Sequence, residues 1–363
     1  MSFNEGSIRI DVRTANCSCP QVRTQVLHHC DVTQALNGQP SDSPLAATLI
    51  GSLHGLYPQA HLAAWRAALA CACGTEPVFD NRRIAYEMMG EHLRFLAFDA
   101  PNSIGMAADP QVRRLGELRS LFAVEFAKDE PDWALLDTGI EGAIRTFVTD
   151  SDDVLEGLPE LEVWIERRAT AASRLFSLLW ESVPCRGYSP IAMLGADTCA
   201  KQALEWMQKG LTVQSALIDG HARQTGAAAR HVGHRLLEEI REQYSCGVRE
   251  NFTARLIDLL TLWQQRNNVP QLGSAAAGEN STGLALVQCA RGTLLTRVAV
   301  RDGRLADVAV INPTVWNFAP GGAADIALGA IGWVSPTQFR QDAGWILAAL
   351  DPCMPVQFVF DAP

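Results

Sequence analysis

The residues best suited to chemistry are few and far apart along the chain. Cys353 closes an Asp351-Pro352-Cys353 run just after an apolar, helix-like stretch. Once ionised, such a thiol is a soft metal ligand or an exchange partner; the plainer alternative is a packed helix-end cysteine. His54 and His61 lie seven residues apart and flank Pro58, which has the place of a first-turn helix proline. An imidazole can ligate a metal or orient a neighbour, and a satisfied structural histidine is the more frequent outcome. Arg291, in Cys289-Ala290-Arg291-Gly292, is a donor to an anionic ligand, a partner for a buried carboxylate, or a solvated hairpin residue. Thr314 follows Pro313 and is either a hydroxyl donor or a turn former.

The other cysteines argue for packing. Cys17-Ser18-Cys19 and Cys71-Ala72-Cys73 enclose a single residue, the wrong spacing for a CxxC metal clip. Residues 1–13 carry no signal-peptide apolar region and no twin-arginine pair, so the ten cysteines are expected to be reduced and the protein cytoplasmic. A net charge of -10 argues against a nucleic-acid partner, which needs clustered Lys and Arg. No apolar run reaches the ~18–20 residues that span a bilayer, so no membrane insertion is expected. With 48% apolar and 19% charged residues the chain is globular.

The elements that must position these residues are mostly helical. Residues 7–13 alternate as a half-buried strand, and 40–44 form a proline-bounded loop. Apolar spacing near 3.6 predicts helices at 61–73, 84–98, 161–182, 200–216 and 227–245. The Gly-, Ala- and Ser-rich stretch 271–283 has the composition of a flexible linker. Beyond it the period becomes two: 294–300 and 305–311 flank Asp302-Gly303, a hairpin signal. A last helix, about 338–350, leads to Cys353. The expected class is α+β, predominantly helical, with small β elements near both termini. The expected organisation is an N-terminal strand and loop region (1–44), a helical core (45–270), a linker (271–283) and a C-terminal hairpin and helix (284–363).

Four stretches, in order, resemble the large subunit of [NiFe]-hydrogenases. Residues 52–61 stand where that family has Arg-x-Cys-Gly-x-Cys-x-x-Cys-His, with Gly55 and His61 kept and the two ligand cysteines replaced by His54 and Tyr57. Gln224-Thr225-Gly226-Ala227-Ala228-Ala229-Arg230 is similar to Glu-Thr-Gly-x-x-Ala-Arg. Gln288-Cys289-Ala290-Arg291-Gly292 resembles Glu-Ala-Pro-Arg-Gly, and Asn312-Pro313-Thr314-Val315-Trp316-Asn317 resembles Val-Pro-Thr-Thr-Trp-Asn. The end resembles Asp-Pro-Cys-x-x-Cys-x-x-His, with Cys353 kept and Val356 and Val359 at the second cysteine and the histidine. Keeping one of four nickel thiolates is the pattern of the HupK/HoxV-type hydrogenase maturation proteins, paralogues of the large subunit.

The resemblance implies a hydrogenase large-subunit-like helical core and a non-catalytic role: a scaffold that transiently holds an Fe(CN)2CO unit, without nickel, for transfer to a [NiFe]-hydrogenase large subunit, with maturation chaperones as further partners. It implies Cys353 as metal ligand, with His54 as a second candidate. Arg291, Pro313 and Thr314 would form the wall facing the cyanides, Val310 and Ile311 would join Pro313 in the apolar wall for carbon monoxide, and His61 and Cys289 would stand behind them. In the family a terminal peptide is removed after the closing histidine. Here four residues follow Val359, and no such processing is expected. The alternatives are a divergent nickel hydrogenase with substitute ligands, or a metal-free structural paralogue that binds maturation factors.

Overall fold

The computed structural model describes residues 6–14, 20–28, 35–53, 56–149, 155–182, 191–214, 216–245 and 247–361. It opens with β1 (Gly6–Arg13) and β2 (Gln21–His28), then α1 (Pro44–Leu53), α2 (Pro58–Ala72) and α3 (Asn81–Arg94). A π-helical turn, Phe95–Asp99, prolongs α3. Next come α4 (Arg113–Phe126), α5 (Trp133–Phe147), α6 (Leu158–Arg167), α7 (Ala171–Ser182) and α8 (Ala200–Gln208). The short strands β3 (Leu217–Ile218) and β4 (His221–Ala222) precede α9 (Ala227–Arg230), α10 (Arg235–Tyr244) and α11 (Gly247–Gln264). The last part holds β5 (Gly273–Ala277), β6 (Thr282–Cys289), β7 (Gly292–Arg301), β8 (Arg304–Ile311), α12 (Pro313–Asn317), α13 (Ala323–Gly329), α14 (Pro336–Leu350) and β9 (Val356–Phe360). Among the described residues no helix is long and apolar enough to cross a membrane.

Strands β5 to β8 form an antiparallel meander, and α2 lies directly on it. The helix is alanine-rich on its buried side (Ala60, Ala64, Ala67, Ala68, Ala72), which lets its backbone approach the sheet. At Gly283 of β6 the approach is so close that a Cβ would overlap the Ala68 carbonyl oxygen. The sheet separates two cores. Ala285, Val287, Cys289 and Leu294 face the main one with α2, whereas Leu284, Leu286, Leu295 and Ile311 face a smaller one with Ala203, Leu211 and Trp316. Burial on both faces explains why β6 and β7 read as nearly continuous apolar runs.

The predicted hairpin is β7–β8, with Asp302 (φ 51°) and Gly303 (φ 71°) in the left-handed region a two-residue turn requires. Ser335 caps α14, accepting from the Gln338 N–H, and Asp351 ends the helix at φ 44°. β9 then pairs in parallel with β1, which also pairs with β2, so the β elements near the two ends of the chain make one sheet.

Four expectations need correction. The helix expected over 200–216 is α8, which ends at Gln208. Residues 271–283 are no linker: they contain β5, paired with β6 along its length. The small side chains are a packing requirement, since a Cβ on Gly273 would overlap the Phe79 ring and Ser274 Oγ accepts from the Ala200 N–H at 2.9 Å. The helix predicted over 161–182 is two, broken where Arg168 takes φ 49°. The helix over 227–245 is also two, parted at His231 to His234, where the His234 ring accepts from the Leu236 N–H and starts α10.

Candidate functional site

Helix α11 is buried almost all round and carries Arg249, Glu250, Arg255 and Asp258 inside the protein. Buried charges must be paired, so these residues dictate where neighbouring segments sit. Arg255 lies over the Phe95 ring at 4.1 Å and meets Asp351 Oδ2 at 3.2 Å. This contact ties the end of α14 to the centre of the molecule.

Asp351 in turn meets Arg291. The guanidinium, 6% exposed, donates from Nη2 to Asp351 Oδ1 (3.2 Å) and from Nη1 to Glu91 Oε2 (2.9 Å). Its Nε lies 3.0 Å from Asp351 Oδ2 without hydrogen-bond alignment, a charge contact only. Burial opposes the cation, but Asp351, Glu91, Tyr57 and Cys353 outweigh it and hold Arg291 firmly protonated. Arg291 is therefore the buried-carboxylate partner among its sequence alternatives, with N–H donors to spare.

The turn bearing Arg291 is tightly built. Gly292 has φ 137°, and a Cβ there would meet the Gly226 nitrogen at 2.8 Å. Thr225 Oγ1 accepts from the Thr293 N–H (2.8 Å), and the Thr225 N–H donates to Asn317 Oδ1 (2.8 Å). Cys289 lies under the turn, fully buried, with its thiol on the Gly292 carbonyl at 3.2 Å. Burial pushes that thiol up to about 12, so it stays neutral.

Cys353 and Thr314 are in direct contact. Thr314 Oγ1 donates to Cys353 Sγ at 3.1 Å and accepts from the Cys353 N–H at 3.0 Å. Thr314 is fixed because Asn312 caps α12, accepting from the Val315 N–H, and Pro313 supplies its first residue. Of the two aliphatic neighbours, Val310 packs with the main core that Cys353 borders, whereas Ile311 faces the smaller core. Successive strand residues point to opposite faces, so the expectation that both line one wall is wrong.

The N-terminal segment arrives through Tyr57, at φ 44°, whose ring lies 5.8 Å from Arg291 Cζ and stacks on His61 at 5.0 Å. Glu87 of α3 caps this end of α2, accepting from the Gln59 and Ala60 N–H groups at 2.8 and 3.0 Å. Burial raises Glu87 to about 8, against those two donors and with help from Glu91. His54 lies outside the described residues. Cys353, Arg291, Thr314 and Tyr57 thus share one neighbourhood, and His61 backs Tyr57. Among the described residues no three His, Cys, Asp or Glu side chains converge as a metal site.

The sequence reading missed the carboxylates that hold Arg291, the buried Glu87, and a second cluster of Asp258, Arg230, His92 and His231. The available signal was charge at apolar-face positions, such as Glu87, Glu91 and His92 in α3 and Arg255 and Asp258 in α11.

This architecture is that of the hydrogenase large subunits. The NiFeSe hydrogenase of Desulfovibrio vulgaris Hildenborough superposes with a TM-score of 0.59 at 15% identity, covering 94% of each chain. The NAD+-reducing [NiFe]-hydrogenase gives 0.54 at 15% identity over 93% of each, and the enzyme of Desulfomicrobium baculatum 0.58 at 13% over 94% of this chain and 95% of that one. In sequence the chain is similar to two hydrogenase expression/formation proteins: HupV of Azotobacter chroococcum mcd 1, 31% identical over 179 residues, and HupK of Azotobacter vinelandii, 30% identical over 175. Each alignment covers 48% of this chain and 48% of the relative, so the chain matches about half the length of these curated relatives. No family model matches the sequence. The resemblance to HupK-type maturation proteins and to the large-subunit fold therefore stands.

Proposed function

We propose that the protein is a non-catalytic scaffold of [NiFe]-hydrogenase maturation, taking up an Fe(CN)2CO unit and passing it to a hydrogenase large subunit in the cytoplasm. The observation that carries this reading is one thiol, Cys353, held by the Thr314 hydroxyl and close enough to the buried guanidinium of Arg291 to help keep it charged. A thiolate is a soft ligand suited to low-spin iron. Cyanide nitrogens are anionic acceptors, for which the spare N–H groups of Arg291 are fitting donors; the Thr314 hydroxyl, which donates to the Cys353 sulfur here, would serve them by rotating once the thiol is ligated. The names of the two sequence relatives support a role in hydrogenase formation. Tyr57, Val356 and Val359 offer no thiolate, and a nickel ion is left without the sulfur ligands it favours. A single thiolate with hydrogen-bonding walls holds a cargo that can be released.

Infrared spectroscopy with metal analysis, on protein purified without oxygen from cells making active hydrogenase, tests this reading. Cyanide and carbon monoxide bands without nickel are the expected result. The same bands with stoichiometric nickel would replace the reading by a divergent hydrogenase, and absence of bands by a metal-free paralogue.

A further inference from the structure

Arg230 closes the Gln224–Arg230 stretch, and its side chain lies in the second buried cluster. Its side chain is 6% exposed and that of Asp258 is 4% exposed. The guanidinium grips Asp258 with Nε on Oδ1 (3.2 Å) and Nη2 on Oδ2 (2.6 Å). It also donates to backbone carbonyls: Nη1 to Cys289 O at 2.9 Å and Nη2 to Ala290 O at 3.3 Å. These carbonyls immediately precede Arg291. Asp258 is anchored in turn by His92 Nε2 on Oδ2 (2.6 Å) and His231 Nε2 on Oδ1 (2.7 Å).

We propose that Arg230 and Asp258 are the positioning pair of this site: through the carbonyls of residues 289 and 290 they fix the turn from which Arg291 reaches Glu91 and Asp351. The inference takes its functional meaning from the scaffold reading, but its geometry does not depend on cargo. Only a planar fork engages a carboxylate and two successive carbonyls at once, which lysine cannot do. The pair is also close to self-neutral. Burial opposes the Asp258 charge, but Arg230 and the hydrogen bonds from His231 and His92 keep it ionised, while burial keeps His92 neutral. The turn is thus clamped without adding net charge beside Arg291. Its opposite flank is held by Thr225 and Asn317, so the loop is pinned from two sides.

The test is nitrogen-15 NMR of the Arg291 guanidinium in the unloaded full-length protein, assigned through its loss in Arg291→Lys, with amide exchange of residues 290–292. In the native protein the Nη signals should be separate, as for a locked side chain. In Arg230→Lys they should merge, and the turn amides should exchange about tenfold faster or more. Asp258→Asn, which keeps the side-chain shape, should give the same signature even if the Arg230 variant folds poorly. The double variant should add little, as expected for one unit. Ile240→Val, a core truncation in α10, is the control for general loosening and should leave the Arg291 signals in place. Unchanged Arg291 signals in Arg230→Lys and Asp258→Asn, or equal movement in Ile240→Val, would overturn the proposal. Because the protein is read without cargo, failure of the scaffold reading in the infrared experiment leaves this result standing.

Discussion

Thr314 and Cys353 hold each other twice: the threonine hydroxyl donates to the cysteine sulfur at 3.1 Å and accepts the cysteine N–H at 3.0 Å. The pair joins the start of α12 to the segment after α14. Thr314→Val is nearly isosteric but strands the Cys353 N–H in a partly buried place. It should cost about 1–2 kcal/mol, while Thr314→Ser should stay within about 0.5 kcal/mol of the native protein. Urea unfolding gives both values, and a neutral Thr314→Val would mean that the hydroxyl does not hold the thiol.

For Cys353→Ser the expectation is a split between stability and loading. The substitution keeps volume and a hydrogen-bonding group next to Thr314, so unfolding should change by less than about 1 kcal/mol. A hydroxyl is a poor ligand for low-spin iron, and the infrared bands proposed for the loaded protein should vanish. Full bands in this variant would remove Cys353 as the anchor.

Arg291→Leu should be the most damaging of the site variants. It leaves Glu91 without its cation and Asp351 with Arg255 alone, in a place where the arginine is only 6% exposed. Removing one partner of a buried ion pair typically costs about 3–5 kcal/mol, so the loss in denaturant should exceed that of Thr314→Val. Cargo retention should follow the same order, because a charged donor to a buried anion is worth more than a neutral one. Equal losses for the two variants would contradict the electrostatic account.

How much of this was legible in the sequence depended on how local the cause was. The β7–β8 hairpin and the first-turn proline of α2 are set by residues adjacent in sequence and lie where the pattern put them, whereas the last helix, expected from about 338, starts two residues earlier at Pro336 behind its Ser335 cap. β5 was hidden because Gly, Ala and Ser mark a flexible linker and a tightly packed strand alike. The break at Arg168 carries no glycine or proline to announce it. Cys353, Arg291 and Thr314 were singled out by resemblance, and their proximity emerges only in three dimensions. Glu91, Asp351, Arg255 and Asp258 pair across separations that no periodicity encodes.

Gly283 and Gly142 make a controlled comparison. A Cβ at Gly283 would run into the Ala68 carbonyl and crowd the Ala72 nitrogen at 2.6 Å, both backbone atoms that cannot swing aside. Gly283→Ala should force α2 off the sheet and cost about 3 kcal/mol or more. At Gly142, inside α5, a Cβ meets nothing within 4 Å. Gly142→Ala should instead stabilise by up to about 1 kcal/mol through helix propensity. Thermal unfolding should show shifts of opposite sign, and a tolerated Gly283→Ala would disprove the close contact of α2 with β6.

Glu87 gives the protein a pH dependence of unusual sign. Its carboxyl rises from an ordinary 4.5 to about 8, chiefly by burial, and the N–H groups of Gln59 and Ala60 only partly offset this. Between these values the folded state keeps a proton that the unfolded chain has released. The group's contribution to stability is therefore full below pH 4.5, declines as pH rises through the window, and is lost above about 8. The size is on the order of a few kcal/mol, reduced to the extent that the end of α2 welcomes the charge. Urea unfolding at a series of pH values from 5 to 9 should show native stability falling relative to Glu87→Gln, which has no proton to lose. The variant should be weaker at the low end, since its amide nitrogen faces a backbone N–H where the acid offered an acceptor. Curves that stay parallel across the range would mean that Glu87 is ionised throughout and caps α2 as an ordinary carboxylate.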